Sequence, residues 1–327
     1  MKKSIWICGG LTASAAAAAG FYTSVRLLVN TALDRRAPGW MKWMGRKIAG
    51  GPEVEPAFQR KLEEKAQELA GRDHEIVETA AYDGIRLVGH WFGKTGARRV
   101  IIGMHGWRSD WFRDFGMVMD AWLAEGCSVL LPEQRGQSQS GGAYMGFGLT
   151  ERFDCLSWVR WVTRRCGNLP IYLGGVSMGA ATVLMAAGLG LPANVRGIIA
   201  DCGFTSPQAI WQHVARRNLH ISFGLRRAAV NRLCRRKIRM GAGDYSTTQA
   251  LAGSSLPVLL IHGTADRFVP VEMTYENYLA CTGPRRLLIV PGAGHGMSYF
   301  CEREVYEQTV RDFWRDFDGK PGERPPE

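Results

Sequence analysis

The stretch YLGGVSMGAA, Tyr172 to Ala181, carries a single serine where apolar, strand-like residues run directly into an alanine-rich, helix-like segment. Gly175-Val176-Ser177-Met178-Gly179 is a G-x-S-x-G pattern, in which the turn is so sharp that side chains two residues either side of the serine would collide with neighbouring backbone. The strain lifts the Ser177 hydroxyl into the open at a helix N-terminus, which favours developing negative charge. Such a corner presents a nucleophile. The pattern alone arises often by chance in a chain with 40 glycines; the strand before it and the helix after it give it meaning.

A serine hydroxyl reacts poorly at neutral pH without a base and a group to orient that base. Among the seven histidines, His295 in VPGAGHGMSY follows the last strand-like run, sits in a glycine-rich loop and precedes the final amphipathic helix. His74 and His90 fall on early strands, and His213 and His220 in a basic insertion. His105 and His262 each precede glycine at a strand end, where a backbone-bonded structural role fits better. His295 is therefore the candidate base. For the orienting acid, Asp266 in LLIHGTADRFVP ends the preceding strand, with Asp201 in IIADCGF as its rival.

These residues need elements to position them. HEIVETAAYDGIRLVGHWFG reads as two strands turning at Asp83-Gly84. Beyond it the short apolar runs RVIIGMHG, SVLLPEQRG, PIYLGGVS, VRGIIADCG, PVLLIHGTAD and RRLLIVPGAGH alternate with longer amphipathic ones such as TERFDCLSWVRWVTRRCG. Near-continuous apolar strands separated by helices predict an α/β fold with a mostly parallel sheet covered on both faces. Reacting groups in such sheets gather outside the carboxyl ends of the strands. Ser177, Asp266 and His295 all fall there.

The order Ser177, Asp266, His295, taken with HGW, RGQSQSGG, GVSMGAA and HGTADRFVP, resembles the α/β-hydrolase superfamily, and within it the bacterial membrane-anchored serine hydrolases of esterase or serine aminopeptidase-like type. The resemblance covers roughly residues 75–317. It implies Ser177 as nucleophile, His295 as general base and acid, and Asp266 as the group that fixes the histidine tautomer. It also implies an oxyanion hole from the backbone N–H groups of Met178 and of Trp107 in MHGWRSD. The implied reaction is cleavage of a carboxylic ester or thioester through an acyl-serine, with no metal or organic cofactor. A serine peptidase or amidase of the same fold, or a non-enzymatic membrane-associated binding protein, are the alternatives. Where relatives often carry Asp-x-Arg-Gly-x-Gly, this chain reads EQRGQSQSGG, so Glu133 and Arg135 are assigned structural roles.

Composition frames this reading. With 327 residues, 46% hydrophobic and 22% charged, the chain is globular in type. Its eight cysteines form no CxxC pair, which signals neither a zinc site nor a disulfide framework and predicts buried thiols. After Lys2 and Lys3 the uncharged stretch Ser4 to Val25 has about the length a helix needs to cross a bilayer. Residues 1–36 therefore read as a membrane anchor, with a cleaved signal peptide or a packing helix as competing readings. Cations on both sides leave its sidedness open. Residues 37–72 read as a linker containing the helix-like EPAFQRKLEEKAQELAGR, and residues 73–327 as the hydrolase domain.

An insertion at about 204–253 occupies the position of a cap. From Cys202 through Gly243 there is no acidic residue, while Arg216, Arg217, Arg226, Arg227, Arg232, Arg235, Arg236, Lys237 and Arg239 supply nine of the cations behind a net charge of +11. Leu219, Ile221, Phe223, Leu225, Val230, Leu233 and Ile238 are interleaved, so the segment reads as basic amphipathic helices. Contact with anionic lipid headgroups, recognition of an anionic substrate and an ordinary solvated face are the three readings. No nucleic-acid recognition motif accompanies the charge, and no nucleic-acid partner is expected.

Overall fold

The computed structural model describes residues 2–36, 56–217 and 222–319, with side chains from residue 18 in the first segment and from residue 58 in the second. Strands β1 (Glu75–Ala80), β2 (Arg86–Phe92), β3 (Arg99–Met104), β4 (Cys127–Pro132), β5 (Ile171–Val176), β6 (Val195–Asp201), β7 (Val258–Gly263) and β8 (Arg285–Val290) form one sheet. Their spatial order is β1-β2-β4-β3-β5-β6-β7-β8. The hairpin β1-β2 is antiparallel and turns at Gly84, whose φ of +79° suits glycine. β2 also pairs antiparallel with β4, and every later pairing is parallel.

Strands β3 and β4 are buried at all six positions, which is why their sequences are apolar without alternation. Along β5, Ile171 and Leu173 face one layer while Tyr172 faces the other. The first layer holds Trp158 and Val159 of helix Glu151–Cys166 and Val183 and Leu184 of helix Met178–Ala186. The second holds Phe115 of helix Trp111–Phe115, Trp122 of helix Met119–Ala124, and Phe313 and Trp314 of helix Arg303–Phe317. The α/β-hydrolase architecture anticipated above is thus present, with helices on both faces. Among the described residues the cysteines are free, and Cys127, Cys155, Cys202, Cys234 and Cys281 are buried.

Among the described residues, helices α1 (Lys2–Leu33) and α2 (Pro56–Ala70) precede the sheet. The stretch Ser4 to Val25 lies on α1, yet among the described residues no helix is long and apolar enough to cross a membrane. Its alanine, glycine and serine content keeps it weakly hydrophobic. The last turns of α1 instead dock on the cap. Val25, Val29 and Leu33 form a buried stripe at four-residue spacing and share a core with Val230, Cys234 and Ile238, which repeat that spacing on the cap helix Arg227–Ile238. Each such aliphatic contributes roughly 2 kcal/mol when fully buried. Polar contacts fix the register: Lys237 Nζ lies 2.5 Å from Asp34 Oδ1, and Arg226 Nε donates to Ser24 Oγ at 2.9 Å.

The cap lies between β6 and β7 and comprises helices Pro207–Arg217, Arg227–Ile238 and Thr247–Ala252. Leu219, His220 and Ile221 fall outside the described residues. Glu133 and Arg135 are built into the framework. Arg135 forks onto Asp154 at 2.5 and 2.6 Å and onto Asp83 in the hairpin turn at 2.8 and 3.2 Å. The buried Glu133 lies 2.9 Å from His90 Nε2 and accepts the backbone N–H groups of Gln139 and Ser140.

Candidate active site

Ser177 joins β5 to the helix Met178–Ala186 with φ +55° and ψ −115°, a left-handed conformation that a non-glycine residue adopts at a cost. Its neighbours explain how the corner forms. A Cβ on Gly175 would meet the Gly179 backbone at 2.4 Å, and one on Gly179 would meet Met104 O at 1.8 Å. The Ser177 N–H is anchored on Asp201 O at 2.9 Å, which fixes the turn to the end of β6.

The structure brings Ser177, His295 and Asp266 together from the ends of three parallel strands. His295 Nε2 lies 2.9 Å from Ser177 Oγ, and His295 Nδ1 lies 2.7 Å from Asp266 Oδ2. With Nδ1–H donating to the carboxylate, Nε2 is left to accept the serine hydroxyl. Asp266 is itself held by four donors. Oδ1 accepts the N–H groups of Phe268 and Val269 at 2.9 Å each, and Oδ2 also accepts His262 Nε2 at 3.1 Å. Asp201 does not reach His295; Ser298 Oγ donates to its Oδ1 at 3.0 Å.

The electrostatics follow from these contacts. Burial would raise the Asp266 carboxyl, but the charge of His295 and the hydrogen bonds from His262 and His295 outweigh it and hold the group well below the usual carboxylate range. Burial opposes the charged form of His295, while the hydrogen-bonded Asp266 carboxylate favours it, and the imidazole ends well above its ordinary value. Burial pushes the Cys202 thiol up to about 11, so it faces the imidazole as a neutral group. Cys202, Asp266 and His295 each bring one potential metal-ligand atom within 4.8 Å of the others. Asp266 and His295 of this cluster are hydrogen-bonded to each other, so it overlaps the Ser177–His295–Asp266 arrangement.

The two amides expected from the sequence are those of Met178, which follows Ser177, and Trp107, which lines the same cavity as Ser177. Ala181 N–H is the first to bond back into the helix, to Ser177 O at 3.0 Å, so Met178 N–H has no intrahelical acceptor. In the loop after β3, Gly106 N–H donates to Asp114 Oδ2 at 2.6 Å and Arg108 N–H to Gln137 Oε1 at 2.7 Å. Both flanking amides are committed, which leaves Trp107 N–H without an acceptor among the described residues. Asp114 also accepts Ser109 Oγ at 2.6 Å, which ties the loop to the helix that follows it.

The sequence offered no signal for Asp114, Gln137 or Cys202, because each acts through a neighbour that only folding supplies. His262, expected to be structural, also holds the acid through its contact with Asp266. A cavity of about 950 Å³ opens at Ser177 and His295 and continues along the sheet face beneath α2.

A strand-to-helix serine corner, an acid and a histidine on successive strand ends, and this strand order define an α/β-hydrolase architecture. The family model for the alpha/beta hydrolase fold matches residues 100–248. Uncharacterized protein YfhR of Escherichia coli K12 is 30% identical over 251 residues, covering 73% of this chain and 80% of that protein. Uncharacterized protein YqkD of Bacillus subtilis is 32% identical over 201 residues, covering 60% of this chain and 64% of the relative, slightly less than two thirds of its length. Among solved structures, the esterase Pf2001 of Pyrococcus furiosus superposes with a TM-score of 0.61 at 23% identity, over 77% of this chain and 95% of the other. The chain belongs to the α/β-hydrolase fold family.

Proposed function

We propose that this chain is a serine hydrolase cleaving a carboxylic ester or thioester through an acyl-serine intermediate. The continuous hydrogen-bonded path from Ser177 through His295 to Asp266 carries the reading. As His295 Nε2 takes the hydroxyl proton, the bond from Ser177 Oγ to the carbonyl carbon forms, and the oxyanion turns to the N–H groups of Met178 and Trp107. Collapse breaks the bond to the leaving group, which receives the proton from Nε2. Water then attacks the acyl-serine by the same route and releases the acid. A donor of this kind contributes about 3 to 4 kcal/mol toward the transition state. The likeness to Pf2001 adds a fold-level analogy only. Fluorophosphonate labelling tests the reading. The native chain should label and Ser177→Ala should not, while a panel of p-nitrophenyl esters, acyl thioesters and aminoacyl amides separates esterase from amidase. Labelling retained in Ser177→Ala would remove Ser177 from the mechanism.

We propose further that the cap contacts anionic membrane surface peripherally. Arg216, Arg217, Arg227, Arg232, Arg236 and Arg239 are exposed, and Leu225 beside them is 81% exposed, a combination that suits headgroup contact with a shallow apolar insertion.

A further inference from the structure

We infer that the cavity below Ser177 is an acyl-chain site whose outer wall is α2, a helix that precedes the hydrolase domain in sequence. This rests on the hydrolase reading above and names the substrate class: an ester or thioester whose acid portion is an unbranched apolar chain.

On the cap side of Ser177, Phe147, Phe204 and Trp211 are buried in one core with Met178. The open space lies on the opposite side. Its floor is the sheet, at Gly174, Val176 and Ile199, and Trp122 and Tyr306 also line it. Gly174 precedes Ser177 by three residues, so the floor descends roughly 10 Å from the nucleophile along the strand. A Cβ at Gly174 would lie 3.6 Å from Ile101 and 3.7 Å from Trp122, so the missing side chain keeps this floor low.

The outer wall comes from Phe58, Leu62 and Ala66, at four-residue spacing and therefore on one stripe of α2. Phe58 closes against Phe300, with ring centroids 3.7 Å apart. The Tyr299 hydroxyl is bonded to Glu307 at 2.6 Å, and the charged Glu63 and Arg113 also line the cavity. At about 950 Å³ the space is near the upper end of small-molecule sites, which run from about 300 to 1,000 Å³. An acetyl group would leave nearly all of it unused.

The binding of the chain persists in the transition state, so it should appear in kcat/KM. Transfer of one methylene from water into apolar surroundings corresponds to about a fourfold gain. The experiment is a series of p-nitrophenyl esters from acetate through butyrate and octanoate to laurate and palmitate. The expected result is kcat/KM rising up to fourfold per methylene and peaking beyond butyrate. Leu62→Trp, which fills the cavity from α2, should lower the laurate-to-acetate ratio of kcat/KM at least tenfold. Gly174→Val should do the same from the floor, and either variant suffices if the other fails to fold. A flat or falling series in a protein that labels with fluorophosphonate overturns the acyl site and leaves the hydrolase reading intact. If neither labelling nor turnover occurs, the hydrolase reading fails, and laurate binding to the native chain, followed by tryptophan fluorescence, decides the site. Binding that is lost in Leu62→Trp supports it, and no binding overturns it.

Discussion

Arg108 grips the end of the N-terminal helix at Asp34, its Nη2 donating to the Asp34 carbonyl at 2.6 Å and to that of Thr31 at 3.0 Å. Beside it, Trp107 Nε1 donates to Ala32 O at 2.9 Å, and Met145 N–H takes Leu33 O at 2.7 Å. The carbonyls that a helix end leaves without partners are here satisfied largely by the loop that carries the Trp107 N–H. That loop is strained at Arg108, whose φ is +53°. The docked helix therefore helps to hold the loop that carries Trp107 in place.

Removing this grip should affect turnover more than binding. Arg108→Ala should lower kcat about ten- to a hundredfold with a smaller change in KM, because a displacement of about 1 Å in a catalytic group can cost two orders of magnitude. Arg108→Lys, which can reach one carbonyl, should fall between. Deleting residues 1–36 should reproduce the kcat loss and also lower stability, since it uncovers Val230 and Ile238. Unchanged kcat in all three would show that the helix end has no hold on the site.

The two aspartates should differ sharply. Asp266→Asn removes the acceptor that fixes the His295 tautomer, and kcat should fall by about 10⁴, the loss seen for the corresponding carboxylate in serine proteases. Asp201→Asn should change kcat modestly, since Ser298 and not His295 contacts its carboxyl. Steady-state kinetics on one ester decides the matter, and the reverse ranking would reassign the acid.

His295 must be neutral to take the serine proton, and its pKa is raised well above 6.5. Activity should therefore increase as pH rises through the folded value, giving a kcat/KM profile whose inflexion lies on the alkaline side of 6.5. A profile already flat from pH ~6 upward would contradict the strong Asp266 pairing.

Burial lifts the Asp201 carboxyl to about 6, only partly offset by His262, Ser298 and His295. The folded state thus binds the proton more tightly than the unfolded chain does. Its contribution to stability is complete below the unfolded value of about 3.9 and is lost as pH rises through about 6, on the order of 3 kcal/mol in all. Asp201→Asn carries no such proton, so its Tm should decline less than the parent's between pH 5 and pH 8. Parallel declines, followed by calorimetry, would mean that the carboxyl is better solvated than its burial indicates.

Among the described residues some cap cations are already paired within the protein and others are not. Arg235 pairs with Asp244 at 2.5 Å, and Arg226 lies against Ser24 and the Phe21 ring. The full chain should bind phosphatidylglycerol vesicles more tightly than phosphatidylcholine ones and release at high salt, because each cation near such a surface contributes about 1 kcal/mol. Replacing Arg227, Arg232, Arg236 and Arg239 by glutamine should weaken that binding in a sedimentation assay. Equal binding to both lipids would leave the solvated-face reading.

The elements of the sheet were legible in the sequence because β3, β4 and β5 are buried on both faces and must be apolar throughout. Gly175 marked the Ser177 corner for a steric reason that acts within five residues, whereas the Met104 carbonyl that requires Gly179 is brought there only by folding. His295 stood out by its place after the last strand. The sequence ranked Asp266 ahead of Asp201, both ending neighbouring parallel strands, but did not show how; the loop after β7, folded back so that Phe268 and Val269 N–H hold Asp266, aims that carboxylate at the imidazole. The stripes on α1 and α2 show the same limit. Periodicity reveals that Val25, Val29 and Leu33, or Phe58, Leu62 and Ala66, must be covered, but not by what. Tertiary structure sets one stripe against the cap and the other over the cavity beside Ser177, because a helix's apolar face specifies burial without direction, and the partner is decided by contacts between segments far apart in the chain.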